Sequence, residues 1–233
     1  MALNLHGVTA VLLPGTGSDD DYVHRVFSPT LHGLGVSVVT PPPRPDRLLD
    51  GYVDDLDEAA RSGPILVGGV SIGAAVAVAW ALRHPASTLG VLAALPAWTG
   101  SPEGAPAALT ARHTAELLLR DGLGATIAGM RESSPAWLAA ELTRSWAGQW
   151  PGLPDAMLAA AAFVAPTSVE LEALAVPMGV AAATDDAVHP VEVALEWVSA
   201  APRSALRTVT LDAMGADPTV LGDACVTALL DAS

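Results

Sequence analysis

Short apolar runs alternate along this chain with longer stretches in which apolar positions return every three or four residues, so two periods are interleaved. The runs Thr9–Leu13, Val36–Thr40, Ile65–Gly68, Leu89–Leu95, Met178–Ala183 and Ala205–Leu211 read as strands. Between them, helical periodicity runs from about Tyr22 until Pro29 and Gly33-Leu34-Gly35, and again over Leu48–Ser62, Ala74–Leu82 and Val191–Ala200. Thr219–Asp231 is a closing helix with Asp217 as N-cap and Pro218 at its first position. Asp19, Asp20 and Asp21 stand where the first helix begins, which suits capping and the helix dipole. Asp50, Asp54, Asp57 and Glu58 form a solvated face on the second. Strands alternating with helices imply parallel βαβ units and a doubly wound, mostly parallel sheet, an α/β fold.

The rhythm breaks at Pro96. From there to about Thr167 the chain reads as helices set off by Gly and Pro: Pro106–Asp121, Pro135–Gln149 with Ser134 as N-cap, and Pro154–Ala165. This divides the chain into a core, 1–95 and 168–233, and a helical insert, 96–167. Trp98, Trp137, Trp146 and Trp150 fall in the insert. They are either ordinary helix packing or the apolar underside of a lid over a pocket. Asp212–Pro218 reads as a loop between the last strand and the last helix.

Gly69-Val70-Ser71-Ile72-Gly73 joins the third strand to an Ala-rich helix. A serine between two glycines at such a corner is the nucleophile-elbow pattern: small flanking residues let strand and helix approach, and the hydroxyl projects above the sheet beside the first helical N–H groups. The uncharged stretch Ile65–Leu82, with Gly69 and Gly73 as a Gly-x-x-x-Gly pair, could also be weighed as a membrane span. Pro64, the early glycines and the need for a buried central strand argue against it.

The 233 residues suffice for one α/β domain, and at 51% hydrophobic content a packed globule is expected. A formal charge of −14 argues against nucleic acid or an anionic membrane as partner and leaves a small molecule. All eleven basic residues are arginine, which reflects coding bias rather than function. The single cysteine, Cys225, excludes an internal disulfide and reads as a buried thiol. Met1–Pro14 lacks a basic start and a small-residue cleavage site, so no signal peptide is read and a cytoplasmic location is the default expectation. Pro14-Gly15-Thr16-Gly17 has no following Gly-Lys-Ser/Thr and is no phosphate loop. None of the six histidines has zinc-ligand spacing, so neither a metal nor a cofactor is expected.

With elbow, insert and resumed sheet together, the chain resembles the α/β-hydrolase superfamily over roughly residues 8–231. Gly69-Val70-Ser71-Ile72-Gly73 matches the elbow, and Pro14-Gly15-Thr16 stands where members often carry His-Gly-x. Ala183-Thr184-Asp185-Asp186-Ala187-Val188-His189-Pro190 looks like the loop that delivers the acid, an Asp four residues before a Pro. The resemblance implies Ser71 as nucleophile, the N–H groups of Thr16 and Ile72 as oxyanion hole, and Asp186, rather than Asp185, as the acid. It also places a histidine after the last strand, where this chain has Ala216, and no histidine follows His189.

Three explanations are open: an engineered His-to-Ala variant, a natural member that has lost hydrolysis, or another histidine in the role. His189 is the first candidate for that role, against the alternative of a loop histidine bonded to backbone, and His24 is a weaker one. The leading expectation is a serine hydrolase acting on a small uncharged ester or acyl substrate, a carboxylesterase or thioesterase. The alternatives are a catalytically inactive binding protein on the same scaffold, motivated by Ala216, and a cofactor-free non-hydrolytic enzyme.

Overall fold

The computed structural model describes residues 3–233; Met1 and Ala2, the start of the stretch read for a leader, lie outside it. Six parallel strands form one sheet in the order β2-β1-β3-β4-β5-β6: β1 Thr9–Leu13, β2 Ser37–Val39, β3 Ile65–Val70, β4 Thr88–Ala94, β5 Met178–Ala183 and β6 Ser204–Val209. The helices are α1 Asp20–Gly33, α2 Leu48–Ala60, α3 Ile72–Arg83, α4 Pro106–Ser133, α5 Ala136–Gln149, α6 Leu153–Ala161, α7 Ser168–Glu172, α8 Val191–Ala200, α9 Leu211–Ala216 and α10 Thr219–Asp231.

The strand alternation separates two cores. Val11, Leu13, Ile65, Val67, Val91, Ala93, Met178 and Val180 face α2, α3 and α8 on one side, where Tyr52, Leu56, Trp80 and Trp197 fill the space. Ala10, Leu12, Leu66, Leu92, Ala94 and Ala181 face α1 and α10 on the other, against Val26, Phe27, Leu31, Cys225 and Leu229. A sheet covered on both faces has continuously apolar central strands, as β3 and β5 do. After β1 the chain turns outward to β2, and after β3 it turns the other way to β4. The carboxyl ends of β1 and β3 therefore meet at the point where strand order reverses, the place at which open α/β sheets bind ligands.

Ile65–Leu82 is a buried strand followed by a helix, which removes the membrane-span alternative. Among the described residues no helix is long and apolar enough to cross a membrane. The insert is helical as expected, with different bounds. α4 continues past Asp121 to Ser133, breaking only at Gly122, whose φ of 79° a residue with a Cβ would rarely adopt. Leu118, Trp146, Leu153 and Met157 form a small core of their own between α4, α5 and α6. α6 ends at Ala161, short of the expected Ala165.

Several expectations are corrected. α1 runs through Pro29 to Gly33, because buried Val26, Phe27 and Leu31 keep it docked despite the one lost backbone bond. Ser134 and Asp217 precede their helices without being N-caps: Pro135 and Pro218 hold those positions, and Asp217 instead accepts from the Thr219 N–H at 2.9 Å. Asp212–Pro218 is no loop, since Thr210 caps the short helix α9 by accepting from the Ala213 N–H, and Met214 buries its inner face. Asp57 is not merely solvated. It accepts from the indole N–H of fully buried Trp80 at 2.7 Å.

Close helix packing supplies a stability test. A Cβ on Gly222 of α10 would fall on the Val26 carbonyl of α1, whereas one on exposed Gly124 of α4 meets nothing. Urea unfolding is expected to show Gly222→Ala destabilised by about 1–3 kcal/mol or more, and Gly124→Ala stabilised by about 0.5–1 kcal/mol. Equal effects at the two positions would contradict this packing.

Candidate active site

β3 ends at Val70, and the next residue, Ser71, has φ 55° and ψ −115°, a left-handed conformation that side chains rarely adopt. The surroundings impose it. A Cβ on Gly69 or on Gly73 would land on the Leu13 carbonyl oxygen at the end of β1. Both positions must therefore be glycine for β3 and α3 to lie this close to β1. The Ser71 N–H donates to the Ala94 carbonyl at 2.9 Å and its own carbonyl accepts from Ala75 at 3.1 Å, so the backbone is held on both sides. Only the side chain is left to face the cavity above the sheet, with the N-terminus of α3 opening at Ile72.

The loop between β5 and α8 meets it. One Asp186 oxygen accepts from the Val188 and His189 N–H groups at 2.8 and 3.2 Å, folding the loop back on itself. The other lies 2.8 Å from His189 Nδ1, and His189 Nε2 lies 3.0 Å from Ser71 Oγ. An ionised carboxylate only accepts, so Nδ1 carries the proton and the Nε2 lone pair faces the serine hydroxyl. Burial of Asp186 opposes its ionisation. The hydrogen bond and charge of His189, with the two backbone N–H groups, outweigh that and hold the carboxyl below the usual carboxylate range. Asp185, its neighbour, points elsewhere and accepts from the Leu211 N–H at 2.8 Å, capping the start of α9.

These three side chains open on a cavity of about 820 Å³ lined by Thr16, Leu95, Trp98, Trp137, Trp146 and Met130 among others. Its roof is built from α4 and α5. At the rim, Arg144 of α5 donates to Asp19 at 2.7 Å and to Glu141 at 2.6 Å, while Arg25 of α1 binds Glu141 at 2.7 Å. This network ties the insert to α1.

The structure thus brings Ser71, Asp186 and His189 together, with Thr16 on the cavity wall and Ile72 at the first position of α3. Ala216 is elsewhere: it sits exposed at the end of α9 and does not line the cavity, because that connection is helical rather than a loop. His24 is also remote, paired with Ser28 on α1 at 3.0 Å. Of the four insert tryptophans, Trp98, Trp137 and Trp146 line the cavity, and Trp150 is 40% exposed and does not. Leu95, the other non-glycine residue with positive φ among the described residues, lies at the cavity too and was not legible in the sequence. Among the described residues no group of three His, Cys, Asp or Glu side chains could hold a metal ion.

No family model and no curated protein matches this chain. Solved structures do. A thermophilic esterase from Thermogutta terrifontis shares 21% identity over 97% of this chain and 91% of its own, with a TM-score of 0.71. MenH from S. aureus shares 15% over 97% and 95% (TM-score 0.75). A hydrolase from Oleispira antarctica shares 16% over 95% and 90% (TM-score 0.73). The chain has the α/β-hydrolase fold.

The lowered Asp186 pKa has a measurable sign. Its contribution to stability is fully present above the ordinary carboxylate value near pH 4 and is lost as pH falls through the lowered folded value. Asp186→Asn is expected to be less stable than wild type at neutral pH, with the difference shrinking as pH falls below the ordinary carboxylate range. A difference that stays constant across that range in urea titrations would rule out this linkage.

Proposed function

We propose that this protein is a serine hydrolase that cleaves a small uncharged carboxylic ester or thioester through an acyl-Ser71 intermediate. The observation that carries the reading is the unbroken hydrogen-bonded chain from Asp186 through His189 to Ser71. His189 Nε2 takes the hydroxyl proton as Ser71 Oγ attacks the substrate carbonyl, and Asp186 stabilises the imidazolium that forms. The Thr16 and Ile72 N–H groups receive the oxyanion, the second aided by the N-terminus of α3. The imidazolium then protonates the leaving alcohol or thiol, and a water activated by His189 releases the acid.

The apolar, tryptophan-bearing walls support an uncharged substrate, with residues 96–167 acting as lid. Asp19 and Glu141 at the rim, already neutralised by Arg144 and Arg25, offer no free cation to a carboxylate or phosphate. The esterase and hydrolase among the structural neighbours fit this chemistry without defining its substrate. The inactive binding protein drew its motive from Ala216, and the contact of His189 with Ser71 removes that motive.

Wild-type protein is expected to hydrolyse p-nitrophenyl butyrate and to be labelled at Ser71 by a fluorophosphonate. Ser71→Ala and His189→Ala should each lower kcat by about 10⁴-fold or more. Ala216→His should give no gain, since the base position beside Ser71 is already filled. Unlabelled Ser71, or turnover that survives Ser71→Ala, would remove the proposal.

A further inference from the structure

The segment Pro14–Ser18, which brings Thr16 to the cavity wall, has little structure of its own: one turn bond, from the Ser18 N–H to the Gly15 carbonyl at 3.0 Å. Side chains from two different helices hold its ends. From α2, the Tyr52 hydroxyl donates to the Pro14 carbonyl at 3.1 Å, and the residue is only 1% exposed. Burial, with the carboxylates of Asp55 and Asp20, pushes that hydroxyl well above the usual phenol range, so it stays protonated and able to donate. From α5, Gln149 Nε2 donates to the Ser18 carbonyl at 2.9 Å and to Ser145 Oγ at 2.8 Å. Gln149 is 7% exposed, and a carbonyl partner requires that its amide nitrogen face the loop.

The middle of the segment is pressed from the same helix. Trp146, one turn before Gln149, packs so closely on Gly17 that a Cβ there would lie 2.7 Å from the indole nitrogen. Gly15, on the other side, abuts the corner: a Cβ would lie 3.5 Å from Ser71 Cβ. Neither Tyr52 nor Gln149 lines the cavity. Apart from the bond of Gln149 to Ser145, their hydrogen bonds run to the loop, so they act on a reaction through the loop's geometry.

We propose that Tyr52 and Gln149 are positioning residues that hold Pro14–Ser18 so that the Thr16 N–H meets the oxyanion as it forms. The inference rests on the hydrolase reading above and deepens it. Gln149 belongs to the insert, so the docking of α5 completes the oxyanion hole as well as roofing the cavity. An oxyanion donor works only if it is fixed before the charge appears, and a displacement of about 1 Å can cost about 100-fold in rate. Substrate binding in the ground state, which depends on the cavity walls, is left alone.

Tyr52→Phe and Gln149→Met each keep the side-chain volume and remove the donor. With p-nitrophenyl butyrate, kcat should fall about 10–100-fold in each while KM stays within about threefold. Affinity for an alkyl trifluoromethyl ketone, whose serine adduct places a negative oxygen in the hole, should fall by the same factor. Affinity for the matching methyl ketone should not change. Gln149→Glu, which turns an acceptor on the Ser18 carbonyl, should fall at least as far as Gln149→Met. Unchanged kcat in folded variants, a rise in KM alone, or equal losses for both ketones would overturn the assignment. If a Gln149 variant does not fold, as judged by melting, Tyr52→Phe decides alone. Wild-type turnover and labelling of Ser71 are the separate control: without them the hydrolase reading falls, whereas with them and intact variant kcat only the positioning role falls.

Discussion

The approach of the β3–α3 corner to the Leu13 carbonyl sets the terms for everything above the sheet. Gly69 and Gly73 both lack a Cβ where one would strike that oxygen, and Gly68 likewise lies against the Leu92 carbonyl of β4. Three neighbouring contacts of this kind leave the residue between them no relaxed alternative. Ser71 takes φ 55°, a strained backbone kept in place by bonds to Ala94 and Ala75. The same approach brings Gly15 against Ser71, so loop and corner are one packed unit. Its position is topological: β1 and β3 are neighbours whose continuations leave in opposite directions.

Two of the three side chains that meet at the site come from a single turn. Asp186 and His189 are three residues apart, and the same carboxylate that orients the imidazole also accepts the loop's own N–H groups. Local folding of the loop and orientation of the ring are therefore one event. The connection after β6 forms α9, whose Gly215 lies directly beneath the indole of Trp137 from α5. A side chain at 215 would collide with that ring. Beside Ala216, where the superfamily resemblance suggested a histidine, this chain packs Gly215 against its insert.

The insert is joined to the core by chemistry of two kinds. At the rim, Arg144 and Arg25 bridge Asp19, Asp21 and Glu141, partly exposed pairs whose individual worth is small and salt-dependent. Deeper in, the contacts are neutral: Gln149 on Ser18, Trp146 on Gly17, Trp197 of α8 donating to the Thr99 hydroxyl at 3.1 Å. Buried neutral hydrogen bonds are directional and costly to leave unmade, so they define the docked position more sharply than the ion pairs do.

Much of the architecture was legible because it rests on periodicity. Short apolar runs and their spacing located all six strands, and β5, α8 and α10 fall on the expected residues. The elbow was legible because tight corners admit only glycine at Gly69 and Gly73. Boundaries that depend on tertiary burial were not: Pro29 inside α1, α4 beyond Asp121, and α9 where a loop was expected. The sequence by itself determined an α/β chain with a lone serine at a strand-to-helix corner, since hydrophobic period and the missing Cβ are local properties. Which histidine faces that serine and which distant side chains clamp Pro14–Ser18 were decided only by tertiary structure. Those are distances between residues up to 131 positions apart, and a chain records such proximity only once its helices have packed against its sheet.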